Sequence, residues 1–333
     1  MRWLLLLCTT VAGASLQEVG KLPEYCYKVQ FLSGEFGWCN GVGIQVTVDG
    51  GRSWNSLPVP KVRYEDVRAG FLNPQQGWLA SYTHLFWTND GGSTWEERMS
   101  PPGPVEVRFL TPDVGVATAW LDLAKERRGF IPAAFRTRDG GRSWIRQSYG
   151  NREIYQDLRD GLGWLEFADL EHGLSVELNA TLFTHDGGRT WKKSRYCPGI
   201  DKRRMRQAWI GSDMWGSTSA QLLDAEYGWW TVEGDLFRTT DGGETWCKLP
   251  PIRLGKDLMR IRELHFVNRT SGWAVLNGMG FSAELPITET QDGGQSWKPI
   301  KLAGGPGIYG MSVVSESVIF VWNNEGLYRL IRD

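Results

Sequence analysis

The chain has 333 residues, 41% of them hydrophobic, with 37 basic against 38 acidic side chains and a formal net charge of −1. So even a balance excludes the bulk electrostatic footprint of a nucleic-acid binder and leaves charge recognition to local clusters. Four histidines and no Cys-x-x-Cys or His-Glu-x-x-His spacing argue against a metal centre, and no Gly-x-Ser-x-Gly, P-loop or dinucleotide fingerprint occurs, so no cofactor is expected.

The chain opens on Met1-Arg2, an apolar stretch from Trp3 to Val11, and Ala12-Gly13-Ala14, the pattern of a secretory signal peptide cleaved after Ala14. Lipidation at Cys8 is disfavoured by the leucine directly before it and the very short apolar run. The expected product is a secreted or periplasmic domain of residues 15–333. Loss of Arg2 leaves 36 basic against 38 acidic residues, a net of −2. No later run of about 18 apolar residues suits a membrane span. Cys26, Cys39, Cys197 and Cys247 remain, an even number that allows two disulfides in any of three connectivities, or buried free thiols.

Six copies of one octapeptide follow in order: Thr47 to Trp54, Thr88 to Trp95, Thr137 to Trp144, Thr184 to Trp191, Thr239 to Trp246 and Thr290 to Trp297, each Thr-x-Asp-Gly-Gly-x-[Ser/Thr]-Trp. Their aspartates, Asp49, Asp90, Asp139, Asp186, Asp241 and Asp292, lie 41, 49, 47, 55 and 51 residues apart, the period of a four-stranded propeller blade. Asp-Gly-Gly between β-prone runs is a hairpin signal, so these aspartates read as turn formers. The tryptophans Trp54, Trp95, Trp144, Trp191, Trp246 and Trp297 read as structural, with packing between blades as their role.

Each unit offers an inner strand first: Val29 to Leu32, Ala69 to Leu72, Val107 to Leu110, Tyr155 to Leu158, Gln221 to Asp224 and Leu264 to Val267. Gly37-Trp38, Gly77-Trp78, Gly115-Val116, Gly163-Trp164, Gly228-Trp229 and Gly272-Trp273 then begin the second strands. A seventh unit shows only three strands, Gly310 to Val314, Val318 to Trp322 and Gly326 to Ile331, and Leu16 to Leu22 is assigned as its missing fourth. The predicted fold is an all-β, seven-bladed propeller of antiparallel blades, approximately 25–60, 62–101, 104–149, 154–198, 206–250, 258–301 and 306–333 plus 16–22.

The octapeptide resembles the Asp box of the bacterial neuraminidase repeat, which in that family joins the third and fourth strands of a blade. The short exported chain with near-identical boxes and Gly-Trp steps is similar to the photosystem II stability and assembly factor type. That resemblance implies seven blades, no catalysis, and binding through an arginine patch. Sialidases share the box, but their Arg-Ile-Pro motif is absent here, the nearest early arginine being that of Arg63-Tyr64-Glu65.

Loops joining strands two to three, and four to the next blade, share one face of a propeller. From second-strand aromatic to box aspartate, blades one, two and five need 11 or 12 residues, whereas Val116 to Asp139 is 23, Trp164 to Asp186 is 22 and Trp273 to Asp292 is 19. With the long link from Arg195 to Ser219, four expansions fall on that one face, which marks it as the working face. The link carries Lys202, Arg203, Arg204, Arg206, Trp209 and Trp215, and the blade-three insertion carries Lys125, Arg127 and Arg128. Converging, they would form a basic, aromatic-flanked site for an anionic protein segment or glycan. The expected protein is a monomeric binding scaffold, open to association with a membrane complex and not with nucleic acid. The alternative is a glycoside hydrolase, for which Glu166, Asp169, Glu171 or Asp213 on the same face would supply the two carboxyl groups.

Overall fold

The computed structural model describes residues 14–26, 28–41, 43–61, 67–81, 83–101, 104–122, 130–146, 164–176, 181–200, 219–232, 234–254, 256–277, 287–300, 302 and 307–332. It is a seven-bladed β-propeller. The first six blades are meanders with inner strands Lys28–Phe31, Arg68–Phe71, Pro104–Phe109, Trp164–Phe167, Ser219–Leu222 and Arg260–Phe266. Blade seven takes Gly310–Ser315, Val318–Trp322 and Leu327–Arg332 from the C-terminal end and Ala14–Gly20 from the N-terminal end. Ala14–Gly20 lies antiparallel to Leu327–Arg332, with Leu16 opposite Leu330. The N-terminal strand therefore fills the open edge of the last sheet.

The ring is sealed by side chains that reach backbone groups of the next inner strand. The Asn40 amide donates to the Ala69 carbonyl and accepts from the Ala69 N–H, both at 3.2 Å. Gln221 does the same to both backbone groups of Phe266, at 2.8 and 2.7 Å. The Phe31 N–H donates to Ser312 Oγ at 2.9 Å, which joins blade seven to blade one. Each such bond satisfies a strand edge that no backbone partner reaches.

One residue spacing repeats through the first six blades: the last inner-strand residue is Phe31, Phe71, Phe109, Phe167, Leu222 or Phe266, and the second strand begins six positions later at Gly37, Gly77, Gly115, Gly173, Gly228 or Gly272. The aromatic ring lies flat on the glycine, so a Cβ at Gly173 would stand 2.6 Å from Phe167 Cε1, and one at Gly37 2.6 Å from Phe31 Cδ1. This overturns the sequence reading of blade four. Gly163-Trp164 does not open its second strand: Trp164–Phe167 is the inner strand and Gly173–Val176 the second. The Tyr155 to Leu158 segment lies outside the described residues. Leu174 to Asp186 is then 12 residues, so blade four has no expanded hairpin, and the extra chain belongs to 147–163, the link from blade three.

The octapeptide tryptophans depart from expectation in part. Trp191 and Trp246 are buried and the other four half-buried. Four rest edge-on on a phenylalanine of their own blade, Trp54 on Phe31, Trp144 on Phe109, Trp191 on Phe167 and Trp297 on Phe266, at 6.0–6.2 Å. They also reach the neighbouring blade, Trp144 donating its indole N–H to the Met99 carbonyl at 2.8 Å and Trp297 packing on the cluster of Trp229 and Leu249. The Gly-Trp residues add further contacts between blades. Trp38 and Trp78 donate their indole N–H to the Ala69 and Val107 carbonyls of the next inner strand, at 3.3 and 3.0 Å. Two disulfides resolve the open connectivity as Cys26–Cys39 and Cys197–Cys247.

Candidate functional site

The two ends of the propeller are built differently. At one end the turns between first and second strands span 32–36, 72–76, 110–114, 168–172, 223–227 and 267–271, five residues in every case. The octapeptides dock onto those turns. In blade one the Thr47 hydroxyl donates to Asp49 Oδ1 at 2.8 Å and accepts the Gly51 N–H at 2.8 Å, while Ser53 Oγ donates to Asp49 Oδ2 at 2.6 Å. The Gly50 N–H then donates to the Glu35 carbonyl at 2.8 Å. The other copies repeat the threonine–aspartate–glycine bonds and the docking contact, and all but the fifth repeat the hydroxyl bond to the aspartate Oδ2. The Ser53, Thr94 and Ser143 hydroxyls hold the carboxyls of Asp49, Asp90 and Asp139 down at about 2. The first glycine's carbonyl is latched from the preceding blade by Arg98, Arg136, His185 or Arg238.

Asp169 and Glu171 belong to this uniform end and not to the face bearing the expanded loops. Asp169 Oδ1 accepts the N–H groups of Glu171 and His172 at 2.8 Å, as Asn73, Asp224 and Asn268 do for their own turns. Burial opposes its ionisation, but those two donors and the His172 ring hold its carboxyl below the usual range. The Glu171 carbonyl accepts the Gly187 N–H, the docking contact of the fourth octapeptide. Glu166 lies on an inner strand, ion-paired with Arg108 of the neighbouring blade. These three carboxylates are therefore not gathered on one face: Asp169 fastens its turn and Glu171 faces Arg136 at 3.9 Å, both at the uniform end, and Glu166 is ion-paired with Arg108. Asp213 lies outside the described residues.

At the other end the connections vary. Blade one turns through a single residue between Gly41 and Gly43, whereas blade three runs out two eight-residue strands, Gly115–Asp122 and Phe130–Thr137, and the blade-six hairpin passes through 278–286. Blade five gains a fifth strand from the link before it, Arg195–Tyr196 lying parallel to Thr245–Lys248. Lys125, Arg127, Arg128, Lys202, Arg203, Arg204, Arg206, Trp209 and Trp215 all lie outside the described residues.

What the described residues bring together at this end is a second basic group that the sequence reading missed. The inner strands of blades one, two and six start here, and Lys28, Arg68 and Arg260 are exposed at those starts. Arg262 is half-buried with its guanidinium 5.7 Å from the centre of the Tyr309 ring. Beside them Glu263 is largely buried and accepts the Met311 N–H at 2.8 Å. Desolvation pushes its carboxyl above the usual range, against the pull of that N–H and of the Arg262 and Lys28 charges. Both cations therefore lie within electrostatic reach of one carboxyl, which ties blades six, seven and one into one arc. Two residues deeper, burial drives His265 down to about 4, so it is neutral at pH 7. A signal existed in the sequence: Lys28 and Arg68 each stand three residues before the turn phenylalanine, Phe31 or Phe71.

Among the described residues no group of three or more His, Cys, Asp or Glu side chains is placed to hold a metal ion. Neither a family model nor a curated protein matches this chain. Among solved structures it is similar to YCF48 bound to D1 peptide, at 18% identity and a TM-score of 0.63 over 96% of this chain and 95% of that one. It is also similar to YCF48 from Cyanidioschyzon merolae, at 15% and 0.62 over 96% and 98%. Streptogramin B lyase gives 12% and 0.61 over 96% and 98%. At these identities the likeness is one of fold, and the fold is that of a single-chain, seven-bladed propeller.

Proposed function

We propose that this protein is an exported, non-enzymatic scaffold that holds an anionic segment of a partner protein over the variable end of the propeller. The observation that carries the reading is the arc of Lys28, Arg68, Arg260 and Arg262 at the inner-strand starts, on the end where connection length varies. A half-buried guanidinium over an aromatic ring is pre-organised for a carboxylate, because little side-chain freedom remains to be lost. The structure of YCF48 with a D1 peptide supports a peptide as the occupant of this fold. The octapeptides support membership among Asp-box propellers, and the basic loop residues 202–206 and 125–128 would extend the same charge.

The test is charge reversal of Arg68, Arg260 and Arg262 together, and separately of Arg203, Arg204 and Arg206. Partners recovered from the source's extracytoplasmic fraction should bind the first triple variant at least tenfold more weakly, with a shallower salt dependence. Binding unchanged in both triple variants would sink the proposal. Glycoside cleavage by purified protein that is lost on Asp213→Asn would install the hydrolase in its place.

A further inference from the structure

The two disulfides have different surroundings. Cys39 is 1% exposed, and Cys26 packs onto the cluster of Val29, Phe31, Phe320 and Leu327. Cys197–Cys247 sits instead on the outer rim of blade five, with Cys247 exposed and Cys197 half-buried. It fastens only the two-residue strand Arg195–Tyr196, and among the described residues no other blade carries a fifth strand. A parallel pairing of two residues does not sustain itself. The Tyr196 ring packs on the blade-five cluster beside Trp230, and Arg195 pairs with Glu244 at 3.6 Å. The Arg195 N–H donates to the Glu244 carbonyl at 2.7 Å, the Cys197 N–H to the Trp246 carbonyl at 2.9 Å, and Ser194 Oγ to the Gly243 carbonyl at 2.6 Å. The Tyr196 and Thr181 hydroxyls meet at 2.9 Å.

We propose that Cys197–Cys247 is a thiol–disulfide exchange site for a dithiol reductant, and that its reduction unlatches the fifth strand from blade five. The reductant's thiolate attacks Cys247 Sγ, the sulfur of the more exposed residue. A mixed disulfide forms and Cys197 leaves as a thiolate that takes up a proton. The reductant's second thiol then displaces Cys247, so the dithiol becomes a cyclic disulfide and has supplied two electrons and two protons. Exchange needs access to a sulfur, which exposed Cys247 offers; the other bridge pairs half-buried Cys26 with buried Cys39. Once freed, the carbonyls of Glu244 and Trp246 lose their donors, and the outer edge of Thr245–Lys248 is open to another extended chain.

Native protein is treated with dithiothreitol at pH 8, quenched with N-ethylmaleimide over time and mapped by peptide mass, with amide hydrogen exchange followed in parallel. Cys197 and Cys247 should label about tenfold or more faster than Cys26 and Cys39 while the melting transition stays cooperative. The Arg195 amide should lose about tenfold or more of its protection on reduction, whereas Leu249, which donates to the Leu236 carbonyl within the blade, should keep it. The double variant Cys197→Ser, Cys247→Ser should show the same Arg195 exposure without reductant. Labelling of Cys26 and Cys39 at the same rate, labelling of all four only as the protein unfolds, or an Arg195 amide indifferent to reduction would overturn the proposal.

Discussion

The uniform and variable ends of this propeller differ in what fixes their residues. At the uniform end side chains bond to backbone: an Asx or hydroxyl cap closes every five-residue turn, a threonine–aspartate pair closes every octapeptide, and a cation or imidazole from the preceding blade latches those of blades three to six. At the variable end lysine and arginine side chains stand exposed at the strand starts, and connections run from one residue to long links. Stability and recognition are therefore separable along the propeller axis, and substitutions at the two ends should have different effects.

The largest expected loss is Trp246→Ala. Trp246 is fully buried and packs edge-on against Trp230 at 6.1 Å, so urea unfolding should show a cost of about 3–5 kcal/mol. Trp144→Ala should cost less, because that side chain is only half-buried, resting edge-on on Phe109 at 6.2 Å. Equal losses would break the link between burial and role.

Next comes a pH effect. His265 has a folded-state value of about 4 against an ordinary 6.5, so the unfolded chain binds the proton more readily. Its contribution is whole above pH 6.5 and is lost as pH falls toward 4, a limit of roughly 3 kcal/mol. Unfolding free energy measured from pH 7.5 to 4 should fall through that window, and His265→Gln should flatten the fall. A parallel curve in the variant would assign the acid sensitivity elsewhere.

Gly173→Ala follows at about 1–3 kcal/mol, because the added methyl must displace the Phe167 ring. A shift in the denaturation midpoint at constant m-value would confirm local overpacking. The smallest stability effect belongs to the variable end. Reversing the exposed Arg68 and Arg260 should move the unfolding free energy by no more than about 0.5 kcal/mol per site while binding falls. A large destabilisation there would erase the distinction between the ends.

The sequence made the architecture legible because the octapeptide is a local device: its threonine, aspartate and glycines satisfy one another within eight residues, so the signal survives without tertiary knowledge. The N-terminal strand of blade seven was readable by elimination. Blade four was misread because Gly163-Trp164 imitates the Gly-Trp step, while the true marker, Phe167 followed six residues later by Gly173, depends on a ring lying over a missing Cβ. The same error carried Asp169 and Glu171 to the wrong face. The basic arc was obscured because Lys28, Arg68, Arg260 and Arg262 are scattered in sequence, and only closure of the ring gathers them.

Closure through Ala14–Gly20 also imposes an order in time. Ala14–Gly20 pairs with Leu327–Arg332, which is made long after it, so no seal can form until that later strand has emerged. Pairings of such sequence separation are slow to find, and until then the rims of blades one and seven face solvent as unpaired template. An emerging chain of this design gains from being shielded during its passage, and a rearranged gene that joins 332 to 14 and opens the ring at a short hairpin such as 41–43 should fold without that delay.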